Sequence, residues 1–438
     1  MHQLIEVTAT ITVVAPLLLL LVTGLTAPTK LLGEKGVGVI TRVALLAALA
    51  ASLTALFAYL LSDRRLVLLK LGSWFTASEA RFSFDLALDA LSLGFAALSL
   101  LICNIVAAFS FRYLHREPGF FRYFFQMAMF VVGICSVALA GSVELLFVGW
   151  ELIGLSSALL VGFFQERPAP ADNALRVFSI YRLSDAAMLS AAVLLHHWTG
   201  SGNLTSLFTT TEQPHLTLAA GQTLAIGSLL IIAVAGKSAL WPFSGWLPRA
   251  MEGPTPSSAV YYGALSIHAG CFLLLRVQPL LAASGIATAL MIFGGVATSV
   301  YGALSGRVQT DVKSAISYAT LTQVGIIVVE IAFGLQLLPM LHIAGHACFR
   351  LLQFLSAPNV LHDLHELENR LGEELHPSSK QRTGQGRPAV YLFALERGFA
   401  DSLLDRALVA PFRRLISILD AFDRLLVFER PSRRERRS

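Results

Sequence analysis

Apolar runs of about 20 residues recur along most of this 438-residue chain, and a helix of that length just crosses a hydrocarbon core roughly 30 Å thick. Eleven candidate spans lie near residues 8–27, 37–61, 86–110, 121–140, 143–164, 174–198, 222–247, 256–283, 284–305, 312–334 and 336–357. Backbone groups in hydrocarbon must bond to one another, so each span is expected to be helical and the fold an all-α polytopic bundle. Composition agrees, with 55% hydrophobic and 14% charged residues and a mean hydropathy of +0.66, outside the range of soluble domains. The polar start MHQLIEV has no basic residue and no small-residue cleavage site follows it, so the first span reads as a retained helix rather than a signal peptide.

The basic residues set an expected orientation. Lys30 and Lys35 follow the first span, Arg112, Arg116 and Arg122 the third, Arg167 and Arg176 the fifth, Arg249 the seventh, and Arg307 and Lys313 the ninth. The connections after spans four, six and ten hold no Lys or Arg, and that after span eight holds only Arg276. The positive-inside rule then places the amino terminus outside and the carboxyl tail in the cytoplasm, in a cell (inner) membrane. Arg64, Arg65, Lys70 and Arg81, between spans two and three, run against this but are nearly balanced by Asp63, Glu79 and Asp85. Cys103, Cys135, Cys271 and Cys348 are isolated in apolar segments, which argues against a zinc ribbon or an iron–sulfur site.

Near residue 360 the composition changes. LHDLHELENRLGEELHPSSKQRTGQGRP (361–388) reads as a short helix followed by a flexible linker. From Tyr391 to Phe428 the apolar residues, among them Leu395, Phe399, Leu403, Leu408, Phe412, Leu415, Leu419 and Phe422, recur at three- and four-residue steps. An amphipathic helix pair interrupted near Pro411 is expected, resting on the membrane surface or on a partner, followed by a solvated basic tail, PSRRERRS.

Charges that hydrocarbon rejects are the informative residues. A central Lys, Arg or Asp costs about 2.5–3.5 kcal/mol on translocon scales, so such groups usually face a protein interior and mark a pathway. Here they are Glu151, Asp185, Lys237, Lys313, Glu330, His268, His342, His346 and Arg350. Glu151 lies deep in SVELLFVGWELIGLSSALLVGFF and reads as functional; Glu144, two turns earlier, reads as the interfacial end of the same span.

Lys237 ends a long apolar run in AVAGKSALWPFSGWLP. One reading is snorkelling from a helix end. The other is a broken helix at Pro242 and Pro248, because Pro242 removes a backbone donor and crowds the carbonyl of Ser238. Backbone freed at membrane depth is tolerated only beside a protein- or water-lined cavity, which Lys237 would then face. Burial weakens a lysine's hold on its proton and a nearby carboxylate restores it. A Glu151 that approaches and withdraws would make Lys237 a proton relay.

HIAGHACFRLLQF puts His342, His346 and Arg350 on one helical stripe. A metal pair, core histidines and a proton wire are the three readings. The wire is preferred because no third ligand or carboxylate accompanies the pair and histidine changes charge nearest neutral pH. His362, Asp363, His365 and Glu366 read as a solvated helix face. The chain lacks a phosphate-binding GxxxxGK[ST] loop, a GxGxxG turn, a haem CxxCH and a nucleophile elbow. No cofactor, metal, nucleic acid or catalytic site of its own is expected.

VGWELIGLSSALLVGF, ALRVFSIYRLSDAAML, GKSALWPFSGWLPRAMEGPTPSSAVYYGA, VQTDVKSAISYATLTQVG and HIAGHACFRLLQFL, in this order, resemble the antiporter-like subunits of NADH-quinone oxidoreductase (complex I), the subunit L or subunit 5 type. Mrp cation/proton antiporter subunits and the DabB membrane subunit of inorganic-carbon-accumulating complexes look alike in the same way. The likeness runs over residues 70–357. It implies a membrane subunit that moves protons, or Na+, together with other subunits of its complex. Glu151 matches the carboxylate of the family's Glu–Lys pair and Lys237 the lysine of the broken helix. Asp185 matches the acid of the R-x-x-D turn, His342 and His346 the central-axis histidines, and Lys313 the T-D-x-K stretch. Arg350 stands where the family has a lysine, and arginine cannot deprotonate; it is expected to fix a positive field on His346.

The resemblance also divides the chain. It implies a complete first repeat over 121–283 and a partial second repeat over 284–358, which with the composition change leaves N-terminal helices over 1–120, a cytoplasmic linker over 359–388 and amphipathic helices with a basic tail over 389–438. The second repeat lacks its broken helix, while ERGFADSLLDRALVAPFRRL resembles the region near the end of subunit L, so the chain reads as internally shortened. A DabB-like subunit with a large zinc-binding DabA-like partner is therefore preferred. A complex I subunit, an Mrp-type sodium/proton antiporter subunit and a scaffold without transport are the alternatives.

Overall fold

The computed structural model describes residues 2–26, 31–63, 65–77, 80–200, 202–204, 218–371, 388–395 and 404–426. Among them, 10 helices are long and apolar enough to cross a membrane: α1 (His2–Thr26), α2 (Glu34–Leu60), α3 (Ala90–Tyr113), α4 (Phe120–Leu139), α5 (Val143–Val161), α6 (Pro168–Thr199), α7 (Ala220–Lys237), α8 (Thr255–Arg276), α9 (Gly285–Gly306) and α10 (Val312–Ala332). The eleventh expected span, 336–357, opens the 35-residue helix α11 (Leu337–Leu371). The segment from 361, expected as a separate short helix, is the continuation of α11. Two further helices are α12 (Pro388–Leu395) and α13 (Ala410–Leu426), the latter preceded by a π-helical turn over Asp405–Val409. The linker after Leu371, Phe399, Leu403, the basic tail and the side chains of His362, Asp363, His365 and Glu366 lie outside the described residues.

Small residues hold the helices together, as expected where lipid tails remove the hydrophobic drive between them. A Cβ built on Gly149 of α5 would lie 2.7 Å from the Gly133 carbonyl of α4, and one on Gly295 of α9 would lie 2.7 Å from the Gly325 carbonyl of α10. Side chains of α1, α2 and α9 point largely outward, whereas α8 is buried along its whole length. Helix α8 is thus enclosed by the other helices.

Two parts differ from the expected pattern. The connection between α2 and α3 contains an antiparallel hairpin of β1 (Val67–Ala77) and β2 (Ala80–Leu88), which pairs Lys70 with Asp85 and Val67 with Leu88. Residues 86–88, counted above as the start of a span, are extended. The helix begins only where Asp89 caps α3, its Oδ1 accepting from the Ser92 amide at 2.8 Å while Ser92 Oγ accepts from the Asp89 amide. The Asp85 carbonyl accepts from the Gly141 amide at 2.7 Å, which fixes the hairpin to the α4–α5 turn. The expected span 222–247 is regular only to Lys237.

Candidate functional site

The chain leaves α7 at Lys237 through Ala239, whose φ is +54°, and continues as short 3₁₀ and α turns before α8 begins. Interrupting a helix strands its last carbonyls; here the Ser238 and Leu240 amides take up those of Val234 and Ala235, and side chains add further bonds. Trp246 Nε1 donates to the Gly236 carbonyl at 2.9 Å, and Ser184 Oγ of α6 donates to the Ala233 carbonyl at 2.5 Å. Pro242 lies in this interrupted stretch and Pro248 within the short helix Trp246–Arg249. The break is thus held by defined hydrogen bonds, and on one side of it the Lys237 side chain turns inward.

Lys237 is completely buried. Its Nζ donates to the Trp150 carbonyl at 3.1 Å, lies 4.4 Å from the Tyr181 ring centre and 5.0 Å from that of Trp150, and sits 3.5 Å from Asp185 Oδ1. Gly154 makes room for it: a Cβ there would stand 2.6 Å from Nζ. Glu151 does not touch the lysine. Arg182 lies between the two acids, at 2.7 Å from Glu151 Oε2 and 2.7 Å from Asp185 Oδ2. The order is therefore Glu151, Arg182, Asp185, Lys237, with alternating charge. The Glu151 and Arg182 side chains are 27% and 33% exposed, while Asp185 and Lys237 are 4% and 0%. The outer pair, Glu151 and Arg182, is partly exposed and the inner pair, Asp185 and Lys237, is buried.

The histidine stripe of α11 meets α8. Arg350 Nε donates to His346 Nε2 at 2.9 Å, His346 Nδ1 lies 3.0 Å from His268 Nε2, and His268 Nδ1 lies 2.6 Å from the Ala264 carbonyl. Donor and acceptor bookkeeping fixes every proton, because Arg350 has no lone pair to offer. His346 Nε2 must accept, so its Nδ1 donates to His268, whose Nδ1 in turn donates to Ala264. Both rings are neutral, and the wire points one way. The carbonyl at its end is free because residues Ser258–Ala264 of α8 are π-helical, a distortion that recurs at functional sites. Below this wire His342 binds Glu330 at 2.9 Å through Nδ1 and Gln323 Oε1 at 3.0 Å through Nε2. Every ring nitrogen of His342 and His346 is engaged by a neighbouring side chain, so the pair is not arranged to chelate a metal. A carboxylate does accompany it, Glu330, brought from α10 by the fold and not by sequence proximity.

The two groups adjoin. Ser238, next to Lys237, donates to the Ile267 carbonyl at 2.6 Å, one residue from His268, and Gly270 leaves space for that hydroxyl. Lys313 stands apart, near the start of α10 and within electrostatic reach of Asp311 and Glu252. Among the described residues no hydrogen bond or ion pair joins it to either group. Glu144, expected at an interface, is largely buried and bonded to His196 Nε2 at 2.7 Å. Arg182 and the role of His268 escaped sequence reasoning. Arg182 was within reach of it, as an arginine three residues before Asp185 inside an apolar span.

A family profile described as NADH:quinone oxidoreductase/Mrp antiporter, TM matches residues 140–375, more than half the chain and the whole of both polar groups. The chain belongs to this antiporter family. A second profile, NADH-ubiquinone oxidoreductase (complex I) chain 5 N-terminus, matches residues 74–124. NADH-ubiquinone oxidoreductase chain 5 of Dugong dugon is 32% identical over 293 residues, which cover 66% of this chain and 47% of that protein. The Paracentrotus lividus chain 5 is 31% identical over 296 residues, covering 68% and 46%. This family member thus spans about half the length of the curated relatives it matches. The Mrp complex from Dietzia sp. superposes with a TM-score of 0.70 at 26% identity, over 84% of this chain and 38% of that one. The membrane-bound sulfane sulfur reductase, an archaeal respiratory membrane complex, shares the fold with a TM-score of 0.68 at 18% identity, over 84% and 72% of the two chains.

Proposed function

We propose that this antiporter-family chain conducts protons within an energy-coupled membrane complex, with Lys237 as the group that takes up and releases the proton. The observation that carries this reading is a fully buried lysine at a helix break, loosely held by Asp185, which Arg182 shares with Glu151. Arg182 keeps its own proton and acts by position. Turned to Glu151, it leaves Asp185 to hold the ammonium; turned to Asp185, it takes that partner away and lets the proton leave. His268 and His346 lie past Ser238 as the next carriers, and Arg350 orients them.

Glu151 and Arg182 lie midway along α5 and α6 with part of their side chains uncovered, which hydrocarbon would penalise. This supports a neighbouring subunit on that face. The tail favours a DabB-like subunit of an inorganic-carbon-uptake complex with a large zinc-binding partner, since after α11 the sequence turns charged where the family's second repeat would need apolar spans. The charge distribution supports an outside amino terminus and a cytoplasmic tail in a cell inner membrane. A sodium/proton antiporter subunit is the second reading, favoured by the superposition on the Mrp complex.

The test is proton flux into proteoliposomes of the co-purified complex, followed with an internal pH dye. Lys237→Ala should lower it by ~100-fold, the scale of a positioned proton carrier, and Glu151→Gln should lower it strongly. Flux unchanged in Lys237→Ala would remove the reading. A strict Na+ requirement would favour the Mrp type, and co-purified quinone and iron–sulfur subunits the complex I type.

A further inference from the structure

At the end of the bundle where α2 begins and α3 ends, a cavity of about 250 Å³ opens between α2, α3 and α4, and its lining includes Lys35, Thr41, Arg42, Ala108 and Phe111 but no acidic residue. Lys35 and Arg42 are seven residues apart, two turns on one face of α2. Both are exposed, and among the described residues neither has an ion-pair partner. The acid beside Lys35 is engaged elsewhere: Glu34 Oε2 lies 2.7 Å from His115 Nδ1, and Oε1 accepts from the Arg116 amide at 3.2 Å. Arg42 projects from a helix face whose exposed neighbours are Val39, Val43 and Leu46, where an unpaired guanidinium is costly. Thr41, which lines the cavity, is buried, and its Oγ1 has no partner among the described residues. Gly38 lets the Phe111 ring lie directly on α2, since a Cβ there would overlap the ring. The result is a trough of aromatic and alanine side chains with two free cations at its rim.

We propose that this groove binds one anionic phospholipid, its phosphate between Lys35 and Arg42 and an acyl chain along Val39, Ala108 and Phe111. Basic pockets between transmembrane helices suit acidic headgroups because charge and apolar depth are satisfied together. A free phosphate ion meets the cations but leaves the trough unfilled.

Native mass spectrometry of the full chain, released from micelles holding equal phosphatidylglycerol and phosphatidylcholine, tests this. One phosphatidylglycerol per chain should be retained with a preference of ~10-fold, equivalent to about 1.4 kcal/mol. Lys35→Gln with Arg42→Gln should abolish the preference, and Arg42→Lys should keep it. Ala108→Phe, at an exposed position, should block retention with the charges intact. No preference in the wild type, a measurement that needs no variant, would overturn the proposal. So would retention by the double variant, or displacement of the lipid by inorganic phosphate alone.

Discussion

Lys237 is held by contacts that are individually weak, a 3.5 Å ion pair, one carbonyl and two aromatic faces, and a relay needs an amine that is positioned but not locked. Gly154 is what admits it. Gly154→Ala should push the ammonium aside, lower proton flux and destabilise the chain by about 1–3 kcal/mol, the usual cost of overpacking; thermal unfolding in detergent and vesicle flux measure the two effects. Arg350 orients the histidine wire through Nε alone. Arg350→Lys keeps a cation but replaces a fixed donor with one that turns freely and can deprotonate. The pH profile of flux should change shape, and a superimposable profile would show that Arg350 does not set the direction of the wire.

The informative elements are the two irregular helices. At the end of α7, Trp246 satisfies the Gly236 carbonyl, so the break is a stable feature rather than a frayed end. Trp246→Phe keeps the ring but removes the donor, and should cost about 1–3 kcal/mol through the unsatisfied carbonyl, seen as a lower melting temperature. In α8 the π turn frees the Ala264 carbonyl for His268. Proline marked the first irregularity in the sequence. The second has no comparable residue mark, since π geometry arises where packing demands it and not from local propensity.

Across the whole molecule, the C-terminal segment folds back beneath the start of α6. Arg176 bonds Asp405 at 2.6 Å, Arg413 bonds Asp172 at 2.9 Å, and the Phe178 and Phe412 rings lie 6.0 Å apart. Asp405→Asn with Asp172→Asn should release this segment, read as faster hydrogen exchange over 405–426. The cost in global stability should be at most about 1 kcal/mol for the exposed Arg413–Asp172 pair and larger for Arg176–Asp405, whose guanidinium is buried. The exposed Leu415, Ile418, Leu419 and Phe422 repeat at the spacing that the sequence showed, and this amphipathic helix was legible for that reason.

The sequence by itself located ten of the eleven expected spans as membrane-length apolar helices, the break after Lys237 and the set of ionisable side chains, because hydrocarbon length and proline geometry are local constraints. Only the tertiary structure decided who pairs with whom. Arg182 stands between Glu151 and Lys237, His268 joins His346, Glu330 meets His342, and a hairpin replaces an expected connection. These are contacts between separate elements, set by how their faces approach, and no local pattern encodes that approach.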